Sequence, residues 1–510
     1  MIIQKKVLPL RHTIVNLMQK TLLYISLLAL CLLSACNFNP VIVNPDDSKT
    51  PADSVPKQED DTIDTRTPDQ RRDPAYLYDL DAVPEITITV TEADWNQYLT
   101  NFDQNPNNRQ YVPAQFEFRK NGDTFVRDSV GLRPRGNTSR RRPEGYGGEM
   151  HNSANPQWHH AHFGIKFTEY TTGERFFGSD RMVLKWFNND PSYCREVFCY
   201  DLFRRFDCWS APHSSYCRLY IHILGDAKPA YFGIYQMVEG VRNGYLADRR
   251  KDNLIADNEG NLWKAAYNSN GIADLSDFNS TGKSKMGISD DYKDYSYALK
   301  TNKKNGLEAA QQELYDFMEQ MRPLKSGSNE LREYLETNMY VDQFLRTLAV
   351  NVAVGMWDDY WINGNNYYFY FDLTHRFLFI PYDYDNTLGT NGIVSNAGTQ
   401  NPMQWGSRDG NRLLIRKVLS IADFENTYKQ YLKQLVSDAE LMQPDAAIQR
   451  IKHLQALVAD YLDNDTHEDT SLSDQSASWG DIGYRLLSGD DSGNYGSNFF
   501  RTKARIINQL

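Results

Sequence analysis

The sequence predicts an α+β protein in which residues 76–240 form a β-rich N-terminal portion and residues 241–510 a mainly helical C-terminal portion. Three observations carry this expectation. Short runs between residues 85 and 238 alternate apolar and polar side chains with period two and are bounded by turn residues. From Leu307 onward the apolar spacing is helical. One aromatic-rich hairpin, Tyr367 to Ile380, interrupts that helical half and is flanked by carboxylates and amides.

The N-terminus carries Lys5, Lys6, Arg11 and Lys20 with no acid, then the apolar run Leu22 to Leu33, the layout of a secretory signal. That run is short for a membrane span. It ends in Leu33-Ser34-Ala35-Cys36, which is similar to the lipobox of bacterial lipoproteins. The resemblance implies cleavage after residue 35, a lipid on the Cys36 thiol, and an exported protein anchored in the cell envelope, at the outer membrane or cell surface. Loss of residues 1–35 removes four positive charges and takes the net charge from −11 to −15. A field of that sign repels phosphate backbones and argues against a nucleic-acid partner. Residues 36–75 are rich in Asp, Thr, Ser and Pro and read as a disordered tether.

Glu85 to Val90 reads as a strand, after which Thr91 caps a helix through Trp95 and Leu99. Ala114–Arg119 and Thr124–Arg133 form a hairpin across Asn121-Gly122, a pair suited to a type I′ turn. Further strands follow at His162–Phe167 and Met182–Trp186. Asp190-Pro191 supplies an N-cap and a first-turn proline for a helix that places Glu196 near its start. Arg218–Leu224 and Tyr231–Val238 make another hairpin, and residues 268–306 read as a long loop. Tyr340–Met356 is the most apolar helix of the mature chain, and the chain after Arg412 is mostly helix. Cys194, Cys199, Cys208 and Cys217 lack metal-site spacing; two disulfides or buried thiols are both compatible with them.

The chemistry concentrates on either side of the Tyr367–Ile380 hairpin. Trp357-Asp358-Asp359 leads to Asn363, Asn365 and Asn366, and the second strand runs into Asp383, Asp385 and Asn386. Oxygen ligands held on strands suit Mg²⁺, and a metal bound to phosphates needs only one or two protein carboxylates. Phosphoryl transfer asks for an Asp near the acceptor hydroxyl, followed by an Asn and an Asp on the metal, and this order is present. His159, His160 and His162 lack a fourth ligand at a zinc spacing and read as a polar loop beside a strand. No nucleophile elbow surrounds Ser139 or Ser192.

On Leu132-Arg133-Pro134-Arg135-Gly136-Asn137-Thr138-Ser139-Arg140, on Arg195-Glu196, on Gly233 to Glu239, on Asp359 with Asn365 and Asn366, and on Ile380-Pro381-Tyr382-Asp383-Tyr384-Asp385 followed by Gly389, the chain resembles the CotH kinase family. The resemblance runs over about residues 80–510. It implies an atypical protein-kinase-like fold, with Mg-ATP, or Mn-ATP, in the cleft between the two portions. The implied activity is transfer of the ATP γ-phosphoryl group to Ser or Thr of exported or surface proteins. In these terms Asp359 orients the acceptor hydroxyl, with Asp358 as the alternative. Asn365 or Asn366 binds metal beside Asp383, and Asp385 is the second metal candidate. Arg135, Gly136, Asn137 and Ser139 form the loop over the phosphates. Lys166 holds the phosphates with Glu196 as partner, Lys185 being the competing lysine, and Glu239 lies near the adenine. A non-catalytic adhesin or assembly lipoprotein on the same fold is the second reading.

Overall fold

Seven strands close into a barrel: β1 (Glu85–Thr91), β2 (Val112–Lys120), β3 (Asp123–Arg135), β4 (His162–Lys166), β5 (Arg181–Lys185), β6 (Ser214–Leu224) and β7 (Ala230–Glu239), in the order β1-β2-β3-β4-β5-β7-β6. Closure comes from the parallel pairing of β6 with β1, which leaves no free edge. The structure is a computed structural model and describes residues 69, 73–276, 285–289, 294–302, 306–390, 392–407, 412–474, 484–488 and 498–510. The signal segment, Cys36 and the tether up to residue 68 lie outside the described residues. Helices α1 (Pro74–Tyr78), α2 (Glu92–Gln104) and α3 (Arg195–Arg205) accompany the barrel. Pro74 and Ala75, expected in the tether, belong to α1 because the Asp73 carboxylate caps it.

The β2–β3 turn has Asn121 and Gly122 both at positive φ, as a two-residue type I′ turn requires. Thr91 caps α2 by accepting from Asp94 N, and α2 presses Trp95, Tyr98 and Leu99 onto the barrel core. Strand parity then sets direction. Met182 and Leu184 of β5 fill the barrel, whereas Val183 faces a second hydrophobic core, and Lys185 shares that face.

The second core is built on a five-stranded sheet of order β12-β11-β8-β10-β9, from β8 (Asn261–Ala265), β9 (Met286–Gly287), β10 (Tyr297–Leu299), β11 (Tyr367–Phe371) and β12 (Phe377–Pro381). Around it stand α4 (Asn243–Lys251), α5 (Leu307–Met321), α6 (Asn329–Asn338), α7 (Val341–Val354), α8 (Leu413–Leu419), α9 (Ala422–Ser437), α10 (Pro444–Val458) and α11 (Phe499–Ile507). Helix α7 is apolar nearly all round and packs between α9 and β12, the pattern of a buried helix. Among the described residues no helix is long and apolar enough to cross a membrane. The mixed strand and helix content makes the chain α+β.

Two local expectations are corrected. The stretch 268–306, read as a loop, carries β9 and β10, too short for period-two alternation to register. Helix α3 begins at Arg195, not at Pro191. Tyr193 sits at φ +55°, which breaks the helical path, and Asp190 instead folds the segment into a turn by accepting from Arg195 N (3.1 Å) and Arg195 Nη1 (2.9 Å).

Candidate active site

The side of β5 that faces the second core presents Lys185 to a cleft between the barrel and the five-stranded sheet. Its Nζ donates to Asp383 Oδ1 at 2.6 Å and also to Glu196 Oε2, bridging β5, α3 and the segment after β12. Lys185 is 12% exposed and Glu196 4%, so the pair is largely withdrawn from water. Burial works to lower the pKa of Lys185, yet Asp383, Glu196 and Asp385 outweigh it and hold the ammonium well above its ordinary range. Burial would raise Asp383, but Lys185, Lys264 and Arg135 keep it below the usual carboxylate value. Glu196 is lifted by burial against the pull of Lys185.

Lys166, expected to pair with Glu196, stands on the neighbouring strand and pairs with Glu169 instead. The Lys–Glu pair at the cleft is therefore made by Lys185. Asp383 adopts φ +69°, a left-handed conformation that costs a non-glycine residue about 1–3 kcal/mol and clusters at functional sites. Its N–H donates to the Tyr200 hydroxyl at 3.0 Å, while Tyr384 N donates to Glu196 Oε1 at 3.1 Å, so α3 fixes the backbone on both sides of the turn. Arg195, wholly buried, donates from Nε to Thr387 O at 3.1 Å and anchors the same segment from beneath.

Across the cleft, Asp358 accepts from Asn363 Nδ2 (2.6 Å), Asn365 Nδ2 (3.0 Å) and Asn366 Nδ2 (3.0 Å). Burial raises its pKa to about 6 against these amide donors. Asp359, expected at the acceptor hydroxyl, does not line the cleft. It is buried, accepting from Ile362 N (3.0 Å) and Asn351 Nδ2 (2.8 Å), and Asn351 in turn accepts from the Tyr384 hydroxyl. Asp359 thus couples the 358–366 loop to the 383–385 turn, and Asp358 is the aspartate in the cleft. Adjacent residues on one loop point opposite ways, so the sequence alone left the two open.

The loop after β3 forms the basic wall. Arg135, Gly136, Asn137 and Ser139 all line the cleft. Gly136 has φ +109°, and a Cβ there would approach His162 Cδ2 to 3.1 Å, so the loop needs glycine. Trp186 N donates to His162 Nδ1 at 3.1 Å, which leaves Nε2 as the donor to Ser139 Oγ at 2.9 Å. Burial together with Lys185 lowers His162 to about 3, so it orients Ser139 as a neutral imidazole. Arg135 Nη2 donates to the Tyr382 hydroxyl at 2.6 Å. His159 and His160 instead face Glu468 and Asp469, and the three histidines do not converge.

Glu239, expected near the adenine, is withdrawn from the cleft. It accepts from Arg249 Nη1 at 2.6 Å and from His213 N at 3.0 Å, with side-chain exposures of 4% for Arg249 and 2% for Glu239. Burial would raise its pKa, but Arg249 keeps it below the ordinary 4.5, so the pair's stabilisation is complete at neutral pH and is lost as the pH falls through that lowered value. Breaking such a pair leaves a buried unpaired charge, and Glu239→Gln is expected to cost about 3–5 kcal/mol in urea unfolding.

A divalent cation suits the Asp383–Asn386 turn. Asp385 is held well above the carboxylate range by burial and by Asp383, Glu196 and Asp358, a negative excess that a cation would relieve. Asn386 Oδ1 is buried beside it without a hydrogen-bond partner. Among the described residues no three His, Cys, Asp or Glu side chains form a ready-made cage, so phosphate oxygens would complete the coordination. Asn365 and Asn366 line the same cleft, each with its amide nitrogen held by Asp358. The four other cysteines, Cys194, Cys199, Cys208 and Cys217, are free and buried, the thiol alternative of the two open to the sequence.

Arg109, Asn188, Asn189 and Lys264 line the cleft without having been singled out in the sequence, and Asn386 was noted there without a role. Lys264 lies inside the apolar strand β8, where a lysine between Trp263 and Ala265 was the available signal. Asn386 follows Asp385 directly and was passed over as part of the turn. No curated protein matches the chain. The family described as CotH kinase protein matches residues 132–485, a span that holds Arg135, Lys185, Glu196, Asp358, Asp383 and Asp385. With well over half of its length matched, the chain belongs to the CotH kinase family.

Proposed function

We propose that the protein is an exported, membrane-anchored kinase that transfers the γ-phosphoryl group of ATP to Ser or Thr hydroxyls of exported or surface proteins. The observation that carries this reading is the Lys185 ammonium shared between Glu196 and Asp383 at the floor of a cleft walled by Arg135–Ser139. A lysine held between a helix glutamate and a metal-type aspartate is the arrangement that phosphoryl transfer uses to seat a triphosphate. Membrane attachment rests on the lipobox around Cys36, and the kinase-like fold on the paired strands β3 to β7 with α3 packed on β6 and joined to β5 through Lys185 and Glu196.

Lys185 and Arg135 would bind and orient the phosphates, and the backbone of Gly136 allows the basic loop to approach them closely. Asp383, Asp385 and Asn386 Oδ1 would hold Mg²⁺ or Mn²⁺, which when bound neutralises charge on the transferring phosphoryl group. Asp358 accepts the proton of the acceptor hydroxyl. In the step, a bond forms between the acceptor oxygen and the γ-phosphorus, the bond from that phosphorus to the β–γ bridging oxygen breaks, and ADP leaves. Asp359 is a positioning residue, and Glu196 keeps Lys185 charged and aimed.

This assigns a pH profile. Asp358 works as a base only when ionised, so kcat should fall below pH about 6. Asp358→Asn should lower kcat by about 10²–10⁴-fold, the usual worth of a positioned base, with little change in the KM for ATP. Incubation of the intact chain with γ-labelled ATP, Mg²⁺ and envelope proteins tests the function itself. Acid-stable label on Ser or Thr is expected; label released only as inorganic phosphate would contradict it.

A further inference from the structure

Beyond Arg135 the cleft opens into two small cavities of about 20 Å³ each, the size of one or two water molecules. Arg135, Arg242 and Tyr368 line both; Arg133, Arg181, Tyr111 and Tyr382 join them in the first cavity, and Arg109, Lys264, Lys300 and Tyr295 in the second. Among the described residues no carboxylate lines either cavity. Tyr382 and Tyr368 act on Arg135, and Tyr368 on Lys264, more strongly than the carboxylate Asp383, which Lys185 already engages. In a chain with a net charge of −11, the cations of these cavities are lined among the described residues by phenols and not by carboxylates.

The side chains are arranged around a gap. Lys264 Nζ makes no hydrogen bond or ion pair among the described residues, and lies 5.7 Å from the Tyr368 ring and 5.6 Å from the Tyr382 ring. It lines both the main cleft and one of the cavities. Arg133 is 5% exposed, and its Nε is buried without a hydrogen-bond partner. Cross-strand register places Lys264 of β8 directly beside Tyr368 of β11. Cations gathered out of water are costly unless an anion meets them. A purine, which wants an apolar slot, is ill matched to a lining this rich in guanidinium and ammonium groups.

We propose that the mouth of the cavity lined by Lys264 and Arg242 is a second phosphate subsite that recognises a phosphate-type dianion already carried by the acceptor. This rests on the cleft's being the phosphoryl-transfer site, and it narrows the substrate to acceptors bearing a phosphate near the hydroxyl to be modified. A dianion seated there meets two fixed cations. The same chemistry could come from free phosphate, so the test separates the two sources.

The intact chain, saturated with a non-hydrolysable ATP analogue and Mg²⁺, is titrated with inorganic phosphate, with a phosphoserine peptide and with the same peptide unphosphorylated. Phosphate and phosphopeptide are expected to bind alongside the analogue, and the unmodified peptide is not. Lys264→Gln should weaken both by about tenfold or more, the scale of one charge-assisted contact. Binding that competes with the analogue, or that ignores Lys264→Gln, would overturn the subsite. Binding of phosphate without the phosphopeptide would overturn its assignment to the acceptor. If the analogue itself fails to bind, the kinase reading fails, and Lys264-dependent phosphate binding to the analogue-free chain still reports on the subsite.

Discussion

Lys185→Met is expected to reduce phosphotransfer by about 10²–10³-fold, the loss that follows removal of one fixed donor to developing charge. Methionine keeps the volume and removes the ammonium. The effect should exceed that of losing a single contact, because Lys185 also separates Glu196 from Asp383. Without it, two carboxylates face each other in a buried site, one of them retains a proton, and the metal position loses charge. Lys166→Met is the matched control. Lys166 is paired with Glu169 in the turn that follows its own strand, away from the cleft, and its replacement should leave the rate within about twofold, the scale of a partly exposed ion pair. Steady-state rates for the two variants decide between the lysines, and an inactive Lys166→Met beside an active Lys185→Met would reverse the assignment.

Asp383→Asn should abolish measurable transfer, at least 10³-fold, since it removes both the principal metal carboxylate and the strongest partner of Lys185. The substitution is nearly isosteric, and asparagine tolerates the left-handed backbone that this position requires. Loss of rate with an unchanged circular dichroism spectrum is therefore expected. Asp359→Asn gives the contrasting result. Its partners are Ile362 N and the Asn351 amide, so an exchanged amide faces a donor and the 358–366 loop loosens. Stability and rate should fall together there, whereas Asp383→Asn should spare stability.

The contrast between these residues shows what could be seen before the structure. β1, the Asn121-Gly122 hairpin and the β6–β7 pair fall where the pattern placed them, because these strands are seven residues or longer and are bounded by turn residues. Strands β9 and β10 span two and three residues, and at that length period two cannot be told from chance, while the five residues of β8, Asn-Leu-Trp-Lys-Ala, do not alternate. The site was legible as a set of segments and not as a set of contacts. Parity puts both Lys166 and Lys185 on the outward face of the barrel, and only the distance to α3 separates them. That distance is set by the turn at Asp190–Tyr193, which the local sequence reads as the start of a helix. Asp358 and Asp359 differ in the same way: which one faces the cleft depends on Asn351 of α7, a long-range partner. Glu239 looked like a cleft residue because it ends a strand, and its capture by Arg249 ten residues later carries no periodic signature.

Calorimetric titration of a non-hydrolysable ATP analogue into the intact chain, with and without Mg²⁺, tests the central claim most directly. If Lys185, Asp383 and Asp385 grip a metal-bound triphosphate, binding will require the metal, will persist in Lys166→Met, and will disappear in Asp383→Asn. Binding of equal strength in the absence of any divalent cation, or no binding at millimolar analogue, would contradict it.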